Sequence, residues 1–199
     1  MRMELGKVMI AFGLLVAVVA AVAVIFTATN AQTEKDGTHG WNPAVIVPLF
    51  GDQVRPHPVY TEGTGVAVFW LNDGLNEICY MVHVSELDDD VTQVSINWAR
   101  DGRETGEAVA YLSLVMHTRH GEDDEGIIAL GSITERTLTG PMAGASMAKF
   151  IGELDAGNLY INVITEGFPS GEVRGNIDAN ATCSDIMALV QEMLKHNGG

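Results

Sequence analysis

Basic residues are scarce in this chain. Its 199 residues hold 11 lysines and arginines against 26 aspartates and glutamates, a formal net charge of −15. A surface this acidic repels phosphate backbones and anionic headgroups, which excludes nucleic acid as a partner. Such a surface suits solubility in a salty medium, or attraction of cations. Cysteine is scarcer still, with only Cys79 and Cys183, so there are no paired cysteine clusters of the kind that hold zinc. The chain has no Gly-x-Ser-x-Gly elbow, no phosphate loop and no Gly-x-Gly-x-x-Gly. Internal repeats and low-complexity tracts are absent too. These gaps remove the best-marked hydrolase and nucleotide-binding chemistries.

One long apolar run is present. Residues 8–26 carry no charge, Arg2 and Lys7 precede them, and Thr27, Thr29, Asn30 and Ala31 follow. A secretory signal has this layout, with Thr29 and Ala31 placed for a cut before Gln32. The run exceeds the usual apolar core of a signal, about 7–15 residues, and approaches the ~20 that span a bilayer. A cleaved signal and an uncleaved membrane anchor both fit. Either way Arg2 and Lys7 stay in the cytoplasm and the remainder is exported. Arg2, Lys7 and Glu4 fall within residues 1–31, which leaves 9 basic and 25 acidic residues in the exported part.

Residues 32–40 read as a polar linker, and short alternating runs follow. In 92–98, Val94, Ile96 and Trp98 share one face, while Gln93, Ser95 and Asn97 share the other. Period two marks a strand with one buried face. Residues 76–84 repeat the pattern through Ile78, Tyr80, Val82 and Val84. Further strands are predicted over 65–72, 107–116, 127–134, 158–165 and 173–177. Turn residues separate them, including Asp101-Gly102, Gly140-Pro141 and Pro169-Ser170-Gly171. Residues 145–154 have room for one or two helical turns. The chain is expected to be all-β, an antiparallel sandwich of immunoglobulin-like or Greek-key type over about 41–180. The tail, 181–199, differs. Ile186, Leu189, Val190, Met193 and Leu194 recur at helical spacing behind a Ser184 N-cap, which predicts a short amphipathic helix. Its stripe fits the domain's own sheet or a partner surface.

In an exported protein, Cys79 and Cys183 fit a disulfide that would staple the tail to a central strand; two thiols are the alternative. Asn180-Ala181-Thr182 matches a glycosylation sequon. His117 and His120 precede Glu122, Asp123, Asp124 and Glu125, and His-x-x-His beside carboxylates is a weak transition-metal pattern. Asp88-Asp89-Asp90 and residues 122–125 are acidic loops that suit loose calcium binding, although neither follows EF-hand spacing. A solvated acidic loop is the plainer reading of each. His83 lies opposite Tyr80 and Val82 on its strand.

The most specific segment is 160–177, YINVITEGFPSGEVRGNI. With Asn42-Pro43, the 65–71 and 78–84 strands and Gly131-Ser132-Ile133-Thr134, it resembles the CHRD domain, the module first named in chordin, over roughly 41–177. The resemblance implies a secreted β-domain. It makes Asn162, Pro169, Gly171, Glu172, Arg174 and Gly175 family-motif residues with a structural role. Glu172 and Arg174 lie two apart on one strand face, which suits a salt bridge with each other or with neighbouring strands, or a polar ladder that fixes the hairpin, with a binding role as the lesser reading. Chordin's domains belong to a protein that binds extracellular ligands. Many members carry His-Ile-His in the third main strand and a His after the closing Asn-Val. Here Ser95, Asn97 and Ile164 stand at those positions, and none replaces imidazole for zinc or copper. The resulting expectation is a non-enzymatic binding module without a cofactor. It would act outside the cytoplasm, its partners being the membrane through the N-terminal segment and an extracellular protein or envelope polymer. A superoxide dismutase-like metalloenzyme and a calcium-stabilised module are the alternatives.

Overall fold

The structure is a computed structural model that describes residues 45–71, 74, 76–99, 105–114 and 126–178. The N-terminal run 8–26, the linker, the His117–His120 pair with its acidic loop, the sequon, Cys183 and the amphipathic tail all lie outside the described residues. Among the described residues no helix is long and apolar enough to cross a membrane.

Eight strands form the body: β1 (Val45–Phe50), β2 (Thr64–Leu71), β3 (Ile78–Ser85), β4 (Val91–Trp98), β5 (Glu107–Tyr111), β6 (Gly126–Ile133), β7 (Leu159–Thr165) and β8 (Val173–Ile177). One helix, α1 (Met147–Asp155), lies between β6 and β7. Each strand expected from alternation is found, with ends moved by a residue or two except where β5 stops early at Tyr111. The strand β1 was not foreseen. Its sequence VIVPLF carries Pro48, which removes a ladder donor and argues against a central strand. The structure tolerates it because β1 pairs fully with β2 but meets β8 in register only at Phe50↔Arg174.

The expected pair of facing sheets is replaced by a single antiparallel sheet, ordered β5-β4-β7-β8-β1-β2-β3-β6. It curls until its two edges nearly meet, giving a barrel-like body. Just past the end of β5, Leu114 bridges Ala129 of β6, and Ala110 of β5 bridges Leu138. The amide of Thr139 donates to Val109 O at 2.8 Å. Both exposed edges are thereby partly occupied, which protects them from pairing with other chains.

Alternation dictates what fills the interior. Val47, Leu49, Ala67, Phe69, Ile78, Tyr80, Val82, Val94, Ile96, Ile161, Val163, Val173 and Ile177 all belong to one buried cluster. Helix α1 adds Met147, Phe150 and Leu154, which lie on one face at helical spacing. Its start is fixed twice: Ser146 Oγ accepts from Lys149 N, and Glu135 Oε1 accepts from Met147 N at 3.1 Å. Its last turn is tied to the sheet by Glu153, whose Oε2 accepts from Trp98 Nε1 at 2.9 Å and Asn158 Nδ2 at 2.8 Å.

Tyr80 closes the seam from inside. Its ring is buried, and its hydroxyl accepts from Ser113 N at 2.8 Å, between the end of β5 and β6. Gly131 of β6 pairs with Tyr80, and a Cβ there would stand 2.7 Å from the hydroxyl oxygen. Gly131→Val is therefore expected to destabilise by about 2–3 kcal/mol through overpacking. Tyr80→Phe leaves Ser113 N without its acceptor and is expected to cost about 1 kcal/mol. Urea melts check both, and a Gly131→Val midpoint equal to wild type would contradict this account of the seam.

Candidate functional site

The motif hairpin β7–β8 carries two distinct constellations. The first centres on Glu172, in the bend just before β8. Its side chain is 0% exposed, yet it faces no cation among the described residues. Oε1 accepts from Thr61 Oγ1 at 2.8 Å and from Asp88 N at 2.7 Å. Oε2 accepts from Thr165 Oγ1 at 2.8 Å. A buried carboxylate is tolerated only when donors replace its water, and three do so here. They come from the segment before β2, the β3–β4 loop and the end of β7. The expectation of a Glu172–Arg174 salt bridge is corrected: the two side chains serve separate networks.

Arg174 belongs to the second constellation, on the outer face of β4, β7 and β8. Register places Ser95, Asn162 and Arg174 in one cross-strand row, and Asn97, Tyr160 and Asn176 in the next. The Arg174 guanidinium stacks 3.6 Å from the centre of the Tyr160 ring, a cation–π contact. Its Nη2 donates to Asn176 Oδ1 at 3.4 Å. Tyr160 Oη in turn accepts from Gly106 N at 3.1 Å and donates to Gly106 O at 3.2 Å. Asn162 Nδ2 donates to Ser170 O at 3.1 Å and so grips the Pro169-Ser170-Gly171 turn. Gly171 has φ +115°, and a Cβ there would collide with the Asn162 amide. Only glycine meets both demands. Gly175 sits opposite Ile161 in the ladder. Asn162 and Arg174 thus line one polar stretch of that face with Ser95, Asn97, Tyr160 and Asn176, and Glu172 stands apart from it.

The three positions of interest for metal binding share the outer face of neighbouring strands but stand in three successive rows, with Ile164 two rows from Asn97. Ser95 and Asn97 point outward from β4, and Ile164 points outward from β7 beside them, paired with Gln93. Their chemistry is already occupied. Ser95 is fully buried, and its Oγ donates to Asn97 Oδ1 at 2.8 Å; Asn97 Nδ2 donates to Gly106 O at 3.0 Å. These bonds brace the β4–β5 connection. Among the described residues no three of His, Cys, Asp and Glu come together to hold an ion. In the 88–90 acidic run the backbone amide of Asp88 donates to Glu172 Oε1, and the backbone carbonyl of Asp90 accepts from Glu166 N at 3.1 Å.

Sequence reasoning missed Thr61, Thr165 and Tyr160 as members of these networks. The donors to Glu172 Oε1 lie 111 and 84 residues away along the chain, so no local pattern announces them. Cys79 is half-buried on the outer side of β3, paired with Trp70. Burial, then the charge of Glu77, pushes its thiol pKa up, against a smaller lowering by a hydrogen bond with Trp70.

A nearly closed antiparallel body, keyed at one end by a buried glutamate in a Pro-x-Gly-Glu hairpin, defines a small β-domain without a recognisable catalytic constellation among its described residues. The CHRD domain model matches residues 45–177, the span of those eight strands, and the chain belongs to the CHRD domain family. No curated protein and no solved structure matches the chain.

Glu172→Ala is expected to destabilise by about 3 kcal/mol, because it strips the acceptor from three donors; Glu172→Gln keeps the shape and one acceptor oxygen and should lose about 1 kcal/mol. Denaturant melts of the two variants separate them, and equal losses would refute the three-donor account. In reduced protein, alkylation of Cys79 by iodoacetamide should set in at higher pH than for an unstructured cysteine peptide. The sign follows from the raised pKa. The neutral thiol favours the fold below the unfolded-state pKa, and that preference is lost as pH rises through the folded-state value. An onset at or below that of the peptide would contradict the assigned environment.

Proposed function

We propose that the protein is an exported, non-enzymatic interaction module of the cell envelope. The segment 8–26 either serves as its membrane anchor or is removed as a signal. The observation that carries this reading is the occupancy of the outer face at 95, 97 and 164. Those positions share one face of β4 and β7, they hold a serine, an asparagine and an isoleucine, and both polar side chains are spent on bracing a hairpin. A face so bound up offers shape rather than reactivity. Beside it, Tyr111 pairs with Ser95 across β4–β5 and is 57% exposed. Tyrosine in such a position supplies large contact area with one polar tip, as interface anchors do. The net charge of −15 disfavours nucleic acid and anionic lipid surfaces as the partner and leaves a protein or envelope polymer.

Cell fractionation with intact-mass measurement tests the location: the chain should appear in the membrane or outside the cell, either whole or shortened near Gln32. Recovery in the cytosol overturns the proposal. Purified protein should carry no stoichiometric copper or zinc, and its melting temperature should not respond to calcium. Bound copper or zinc that is lost on His117→Ala/His120→Ala would instead favour a metalloenzyme. An envelope component captured by the wild type should bind Tyr111→Ala at least about tenfold more weakly, the effect of losing an interface anchor worth more than 1 kcal/mol.

A further inference from the structure

Among the described residues one large apolar side chain is bare: Tyr60 is 99% exposed, while Tyr111, the next most exposed, is at 57%. An exposed tyrosine is ordinary on a slack loop, which can fold its ring back. The connection between β1 and β2 is not slack. Gly51 O accepts from Val54 N at 3.1 Å and from Val59 N at 2.9 Å, so the loop is drawn shut at its neck. Gly51 is buried there, and a Cβ on it would stand 2.4 Å from Val59 O. Val54 is buried too, and Arg55 Nη1 donates to Asp52 O at 2.7 Å and to Val54 O at 3.0 Å. Pro56 and Pro58 fix the backbone on either side of His57. Beyond Tyr60, Thr61 Oγ1 donates to Glu172 Oε1 at 2.8 Å and accepts from Gly63 N at 2.9 Å. The ring is thus carried between two pinned neighbours, Val59 and Thr61, with both its faces open to water.

We infer that Tyr60 is a stacking platform for a neutral oligosaccharide, held in place by the bond from Thr61 to Glu172. The surroundings of the ring fit a sugar better than a protein partner. A protein interface gathers several apolar side chains into one patch that excludes water. Here Trp70 stands six residues beyond Thr64 on β2, about 20 Å from the loop end of that strand. The same loop instead exposes Asp52, His57 and Glu62, two carboxylates and an imidazole that can bond to sugar hydroxyls. A pyranose presents a flat C–H face to an aromatic ring when its hydroxyls are equatorial. Units of β-linked glucose and N-acetylglucosamine meet that condition. Charge narrows the class further, because a chain of net charge −15 repels uronate and sulfate polymers. A ring already fixed in position loses little conformational freedom on binding, which lets a single aromatic contact count. The inference names a ligand class for the interaction module proposed above, at a position other than Tyr111. It rests on that reading for its setting outside the cytoplasm, and on the loop geometry for the binding itself.

The test titrates the purified full chain, in a detergent without a sugar headgroup, with cellohexaose and with chitohexaose, read by calorimetry and saturation-transfer NMR. At least one of the two should bind at about millimolar strength or tighter. Tyr60→Ala should bind at least about tenfold more weakly, and Tyr60→Phe, which keeps the ring, within about threefold of wild type. Tyr60→Leu keeps apolar bulk without a ring face and should be as weak as Tyr60→Ala. The side chain is fully exposed, so the thermal melts of all three should coincide with that of the wild type. Thr61→Val removes the hydroxyl that reaches Glu172 and should weaken binding about threefold with the ring intact. Failure to bind either sugar, equal binding by wild type and Tyr60→Ala, or Tyr60→Leu matching Tyr60→Phe would each overturn the platform. Tighter binding of polygalacturonate than of both neutral sugars would overturn it as well. Cell fractionation reads the location separately. Cytosolic recovery with sugar binding intact strikes only the earlier reading, and lost sugar binding in an envelope protein strikes only this one.

Discussion

The fold is held together at one end by a carboxylate that has nowhere to go. Glu172 is sealed from water and takes all its solvation from Thr61, Asp88 and Thr165. Burying a charge without compensation is far more costly than any single hydrophobic contact is favourable, so the three donors are not optional. Each belongs to a different connection. The chain before β2, the loop from β3 to β4 and the last residue of β7 can all be in place only together. That requirement converts a local hairpin motif into a constraint on the whole end of the barrel. A cation partner would have satisfied the charge with one side chain; three neutral donors instead satisfy it with three segments.

Closure at the other side follows a different logic. The sheet ends at β5 and β6, and these edges meet through bridges at Ala110–Leu138 and Leu114–Ala129 rather than through a full ladder. Such a sparse seam leaves backbone donors to be satisfied, and Tyr80 meets one of them from within the core by accepting from Ser113 N. The arrangement works because Gly131 makes room for the phenol. A single curled sheet therefore needs a polar atom at its centre, where two flat sheets facing each other would need only apolar side chains.

Legibility in the sequence divided along the same line. Strands β2 to β8 were readable because period-two alternation is a local property, and residues such as Val94 and Ile96 declare a face on their own. The strand β1 was hidden by Pro48, which reads as a breaker unless one knows that its β8 side forms only one registered pair. One sheet rather than two was not readable at all. Both architectures bury alternate residues, and what separates them is the pairing of β1 with β8 and of Leu114 with Ala129, contacts between distant parts of the chain. The division of the motif residues into two networks has no local sign in the sequence. Glu172 and Arg174 have the same parity, and only the bend before β8 sends one carboxylate inward while the guanidinium lies on Tyr160.

The two outer faces then bear on how such a domain is put to use. On β4, β7 and β8, polar side chains bond to one another and to nearby backbone, so the face is rigid and chemically quiet. On β1, β2 and β3 the outward side chains are mostly apolar, with His83 and Ser85 among them. In a chain this acidic, an uncovered uncharged face would be the natural place for association.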